Sequence, residues 1–94
     1  MALTIVKIFC KDTTVKDCYI TYTTNIIRFS KQWKNKCTSN NPHILYKFIN
    51  SHGGYKNWLI TPLETIDDHD YDIMMIIRHY VLKEDATINL INLL

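Results

Sequence analysis

Two β-branched stretches near the start of the chain constrain its fold most. The first runs from Leu3 to Cys10 and the second from Cys18 to Tyr22, and the seven residues between them are mostly polar. Stretches of this composition and length are typical of strands, and a short connection favours pairing between neighbours in the chain. We therefore predict an antiparallel β-hairpin.

Helical periodicity follows the hairpin. The hydroxyls of Thr23 and Thr24 are suited to cap a helix, and the apolar residues from there to Lys36 recur at helical spacing. A second helix is predicted to start at Pro42, a residue favoured in the first helical turn, and to stop at two adjacent glycines.

The rest of the chain predicts one strand, one helix and a packed tail. Trp58 to Leu63 is typical of a short buried strand, with Pro62 placing its end at an edge or bend. A third helix is predicted from Asp70, and the apolar tail from Ala86 to Leu94 is expected to pack on the core or on a partner. The order β-β-α-α-β-α predicts one α+β domain over residues 1–94, a three-stranded antiparallel sheet flanked by three helices.

Charge is distributed unevenly along the chain. Residues 1–57 carry nine basic and two acidic side chains, a formal charge of +7, whereas residues 58–94 carry two basic and seven acidic ones, a charge of −5. Four cations in or near the predicted first helix, close to Tyr19, Tyr22 and Trp33, have the composition of a nucleic-acid surface. These cations are Arg28, Lys31, Lys34 and Lys36. The alternative is an ordinary solvated helix face beside core aromatics.

No group of residues predicts catalysis or metal binding. The segment from Asp67 to Asp72 is rich in carboxylates, but adjacent residues do not converge on one ion without a specific loop, and the spacing is not that of a calcium loop. A solvated turn is the better interpretation. The four histidines lack zinc-site spacing, and no nucleophile is marked by its context. We predict no catalytic residue, no metal site and no cofactor.

The cysteines and the apolar runs bear on the compartment. Cys10, Cys18 and Cys37 are odd in number and form no C-x-x-C pair, which predicts free thiols, with a Cys10–Cys18 bridge across the hairpin as the minor alternative. We find no secretory signal and no apolar run approaching the roughly 20 residues that cross a bilayer. An intracellular, reducing location is expected.

Three segments resemble the GIY-YIG nuclease superfamily. Residues 18–28 resemble the family's Y-[IV]-G-S-x-x-[ND] stretch, which leads to its catalytic Arg. Residues 45–58 are similar to stretches in small members from large DNA viruses of eukaryotes, and residues 85–89 resemble the closing segment. The resemblance spans nearly the whole chain and implies a viral protein of the host cytoplasm or viral factory, or of the virion.

The resemblance also implies that catalysis has been lost. In active members two tyrosines help activate water, the Arg stabilises the scissile phosphate, and a Glu on the third helix binds the metal ion. Tyr19 and Arg28 match two of these positions. The first-strand Tyr, second-strand Gly, first-helix His and metal-binding Glu are replaced by Val6, Thr21, Trp33 and Ile77.

We therefore expect a catalytically inactive GIY-YIG-like domain in which Val6, Trp33 and Ile77 fill a former cleft. Its expected role is structural or protein-assembling, such as a virion or capsid-associated component, with protein partners or self-association and neither a membrane nor a small-molecule substrate. The alternative is non-catalytic DNA or RNA binding through the first helix. A third hypothesis is a divergent metal-dependent endonuclease that uses Arg28 and Glu64.

Overall fold

The computed structural model describes residues 2–39, 43–67 and 72–92, the side chains of residues 44 and 90–92 excepted. The described elements are β1 (Leu3–Cys10), β2 (Cys18–Thr23), α1 (Ile26–Thr38), α2 (Ile44–Ser51), a 3-10 turn (Tyr55–Asn57), β3 (Trp58–Ile66), α3 (Ile73–Lys83) and α4 (Thr87–Asn92). The α+β class and the three-stranded antiparallel sheet are confirmed. The prediction of three helices is wrong, because the segment after α3 forms a fourth.

The sheet has the order β2-β1-β3, with β1 at its centre and both pairs antiparallel. The predicted hairpin is confirmed, with Ile8 opposite Tyr19. Pro62 lies on the edge strand β3, where a residue without an N–H is tolerated, beside a shift in the β1–β3 register. The predicted burial of this strand is wrong, because β3 is an outer strand in which only Trp58 and Ile66 are buried.

Helices cover both faces of the sheet. Ile5 and Ile8 are three residues apart on β1, so their side chains point to opposite faces. A first cluster, on the face of Ile8, contains buried side chains of α1 and α2, including Trp33 and Leu45. A second cluster, on the face of Ile5, is covered by half-buried side chains of α3. The sheet therefore separates α1 and α2 from α3.

The short helix α4 closes the outer edge of β2. The Asn89 side chain accepts a hydrogen bond from the Ile20 N–H at 2.6 Å and donates one to the Ile20 carbonyl at 2.8 Å. These backbone groups would otherwise lack a strand partner, because β2 lies at the edge of the sheet. Ala86 belongs to the second cluster and Ile88 to the first, so this segment contributes to both halves of the core.

The apolar tail was predicted to pack on the core, and this is confirmed for its first part. Ala86 and Ile88 are each 1% exposed. Residues 93 and 94, the last of the predicted tail, lie outside the described residues.

Two predicted helix starts are wrong. The N-cap of α1 is Asn25, whose side chain accepts from the Arg28 N–H at 3.1 Å, while the hydroxyl of Thr23 accepts from the Asn25 N–H. The third helix starts at Ile73 and not at Asp70, because the Asp72 side chain caps it by accepting from the Met74 N–H. The predicted start of α2 at Pro42 lies outside the described residues, and His43 caps that helix.

Candidate functional site

The two residues that the resemblance matches to nuclease positions, Tyr19 and Arg28, lie on β2 and α1. Tyr19 is half-buried and packs against the first cluster, on the face covered by α1 and α2. Arg28 is exposed in the first turn of α1. The nuclease resemblance implies that an active enzyme would hold a metal-binding carboxylate beside these residues, so the position of the nearest candidate carboxylate matters.

Glu64 lies on the other side of the sheet. It stands opposite Ile5 on β1, and its carboxylate accepts a hydrogen bond from the Tyr80 hydroxyl of α3 at 2.5 Å. This bond raises the pKa of Tyr80, because the phenol proton is held by the carboxylate. The structure therefore does not bring Tyr19 and Glu64 to one face of the sheet.

The three side chains that were expected to fill one former cleft do not lie together. Val6 and Trp33 are buried and Ile77 is half-buried, as predicted. However, Trp33 belongs to the first cluster and Ile77 packs against the second. The prediction that these side chains fill one cleft is wrong, because α3 packs on the face opposite α1. Thr21 is half-buried and stands opposite Val6 on β1.

Of the three aromatic side chains named beside the basic helix, Trp33 belongs to the first cluster and Tyr19 packs against it, whereas Tyr22 is 45% exposed. The Trp33 ring lies 6.3 Å from that of Phe29 and 5.6 Å from that of Tyr46. Burial raises the pKa of Tyr46. The Trp33 indole N–H is buried and has no hydrogen-bond partner within the part of the chain that the structure describes. Trp33 is consequently not accessible for stacking on a base.

Metal ligands do not gather in the described ranges. No group of three His, Cys, Asp or Glu side chains there is placed to hold an ion. Of the carboxylate-rich segment, residues 68–71 lie outside the described residues, and Asp72 caps α3. His52 stacks on Phe48 with ring centres 4.3 Å apart, and its Nδ1 lies 2.9 Å from the Phe48 carbonyl oxygen. His43 and His52 thus both have local structural roles.

The α1–α2 side of the molecule is a basic surface. Arg28, Lys31, Lys34 and Lys36 are all exposed on α1, as their helical spacing predicted. The chain has no acidic residue between Asp17 and Glu64, so α1 and α2 carry only positive formal charges. The ion pair described in the structure joins Lys7 of β1 to Glu84, which follows α3, at 3.2 Å. It includes no residue of α1 or α2. Lys34 Nζ lies over the Tyr55 ring, 5.6 Å from its centre, and all four cations remain exposed to an anionic partner.

An exposed apolar surface lies on α3. Met74, Met75 and Leu82 are 65%, 69% and 75% exposed, and we call this group the α3 patch. Arg78 lies between Met74 and Leu82 at spacings of four residues, which places all three along one side of the helix. The sequence pattern does not single out this patch. It places Met74 on one broad apolar face of the predicted third helix with Ile73, Ile76, Ile77, Tyr80 and Val81. The signal that was able to reveal the patch is that the apolar residues of this helix cover more of its circumference than one contact with the core can bury.

Comparisons with protein-family models, with curated proteins and with solved structures find no match for this chain. Among the described helices, none combines the length and apolar character required to cross a membrane.

The three cysteines are buried and free. Cys18 belongs to the second cluster and Cys10 to the first, so the alternative of a bridge across the hairpin is wrong. Burial raises the pKa of the Cys37 thiol to about 11 and also raises the pKa of Cys18. Both effects lower the thiolate fraction at neutral pH.

We predict that all three thiols react slowly in the folded protein, because all three are buried and the raised pKa values of Cys18 and Cys37 make their reactive thiolates scarcer still. Iodoacetamide at pH 8, followed by mass spectrometry, is expected to add at most one group before unfolding and three groups in denaturant. Three rapid additions to the folded protein, or fewer than three in denaturant without a reductant, would contradict this prediction.

Proposed function

We propose that this chain is a catalytically inactive GIY-YIG-like domain with a protein-assembly role, such as a virion or capsid-associated component of a large DNA virus. The observation that carries the proposal is the α3 patch, formed by Met74, Met75 and Leu82. Large apolar side chains grouped on the surface mark sites where a protein binds another protein.

The packing of α3 supports this proposal. None of its residues is fully buried, although Ile76, Ile77, Tyr80 and Val81 contact the second cluster. A helix of 11 residues depends for its stability mainly on burying apolar surface. A partner on the α3 patch would complete that burial, and each side chain would contribute about 1–2 kcal/mol by leaving water.

The inactive state is supported by the separation of the former catalytic positions. Tyr19 lies on the α1–α2 face, while Glu64 and Ile77 lie on the α3 side. Accordingly, we predict no divalent-ion-dependent cleavage of duplex or branched DNA, and no gain of cleavage in Ile77→Glu. The assay is a nuclease time course with Mg²⁺ or Mn²⁺. Cutting by the wild type that disappears in Arg28→Ala would overturn the proposal of an inactive domain.

A second candidate function is nucleic-acid binding through α1. The observation that favours it is the basic surface, which has exposed cations and no carboxylate on either helix. Binding of this kind releases counterions, so several phosphate contacts would cost roughly two or more decades of affinity between 50 and 200 mM salt. Association through apolar surface is not screened in this way.

The two functions are separated by one set of measurements. For assembly we expect sedimentation to detect protein complexes that persist at about 200 mM salt and are lost in Met75→Asp/Leu82→Asp. For nucleic-acid binding, anisotropy with labelled single-stranded and duplex DNA would show tight, salt-sensitive binding that Lys31→Glu/Lys34→Glu weakens. Tight DNA binding by a monomer, unaffected by the α3 substitutions, would replace the first function with the second.

A further inference from the structure

The two sides of the sheet differ in charge as well as in apolar exposure. On the α1–α2 side, both helices carry only positive formal charges. On the α3 side, Glu64, Asp67 and Asp72 are exposed at or before the start of the helix, and Asp85 is exposed just after it. Arg78 and Lys83 lie in the middle and at the end of α3, so the start of the helix is its acidic part. The uneven charge seen along the chain therefore becomes a difference between opposite sides of the molecule.

The outer side of α1 matches the start of α3 in chemistry. Ile27, Lys31 and Lys34 lie at spacings of four and three residues and share that outer side, and Ile27 is 69% exposed. An apolar side chain followed by two cations is complementary to Met74 and Met75 preceded by Asp72 and Asp67.

We propose that the occupant of the α3 patch is a second copy of this chain, which docks its α1 antiparallel to α3. This inference rests on the proposed assembly function and names its partner. With Lys31 beside Asp72 of the next copy, Ile27 lies four residues or roughly 6 Å further along α1 and reaches Met75. Lys34 lies about one turn further along α1 and adds to the attraction for the acidic start of α3, and antiparallel helix dipoles add a favourable contribution.

The position of the two surfaces determines the kind of assembly. The two surfaces lie on opposite sides of the sheet. A pair of copies joined by one contact therefore still has one α1 surface and one α3 surface unoccupied. A contact between two different surfaces is heterologous, and it continues into a ring or an open filament and does not stop at a dimer.

The test uses two double variants of the full chain, each with one surface removed. Lys31→Glu/Lys34→Glu alters the partner surface on α1 and retains the α3 patch, and Met74→Asp/Met75→Asp, which changes the two methionines that face Ile27, retains α1. Each variant alone is expected to sediment as an 11.1 kDa monomer, with association at least tenfold weaker than in the wild type. Their equimolar mixture is expected to form one-to-one dimers and nothing larger, while the wild type forms larger species as its concentration rises.

The matched control is Lys11→Glu/Lys16→Glu, which makes the same charge change at exposed positions of the β1–β2 loop and should assemble like the wild type. Circular dichroism checks that every variant is folded. A wild type that stays monomeric or stops at a dimer, or a mixture that does not form dimers, overturns the inference. If the wild type is monomeric but binds another protein through the α3 patch, the proposed assembly function stands and only self-association fails.

Discussion

Replacing Asn89 with Leu is expected to lower the free energy of unfolding by about 3–5 kcal/mol. The Asn89 side chain pairs both the N–H and the carbonyl of Ile20, and all of these groups are buried. Leu has the same number of side-chain heavy atoms but cannot hydrogen bond, so two buried backbone groups lose their partners at about 1–3 kcal/mol each. The effect is large for a domain of this size, whose whole stability is on the order of 5–15 kcal/mol.

Urea unfolding followed by tryptophan fluorescence measures this change. The matched control is Asn35→Leu, which makes the same substitution at an exposed position of α1 and should change stability by at most about 0.5 kcal/mol. If Asn89→Leu proves so unstable that no folded baseline exists, the prediction is met. A variant as stable as the wild type would mean that α4 does not pair with β2.

Replacing Ile88 with Ala is expected to cost about 2–5 kcal/mol, whereas Leu82→Ala should cost less than about 0.5 kcal/mol. Ile88 is 1% exposed and belongs to the first cluster, so its truncation leaves a cavity. Leu82 lies only six residues earlier, but it belongs to the exposed α3 patch. Its truncation removes few contacts within one copy of the chain.

Thermal and urea unfolding at low protein concentration, where self-association is suppressed, provide the comparison for this pair of aliphatic residues. Equal losses in the two variants would contradict the packing of α4 against the first cluster. At high concentration Leu82→Ala is additionally expected to weaken assembly, which separates its role on the surface from that of Ile88 in the core.

Much of the fold follows from local patterns. β1 and β2 begin at the predicted residues, because β-branched runs separated by a short polar connection form a hairpin in most contexts. The helix starts were less predictable, because several residues near each start were able to act as a cap, and only the backbone geometry selects Asn25 and Asp72. The helix α4 has six residues, fewer than periodicity resolves.

The sequence by itself determined the order of the three strands and the first three helices, the free thiols expected from three unpaired cysteines, and a helix α1 with outward cations. These properties depend on composition and on spacing within single segments. Tertiary structure alone decided which segments share a face of the sheet. Glu64 is separated from Tyr19 and Ile77 from Trp33 because α3 and α1 cover opposite faces. In the same way, Ile88 is buried because α4 lies against the edge of β2 and places this side chain in the first cluster, whereas Leu82 is exposed on the side of α3 that does not contact the second cluster. No local pattern records this relation.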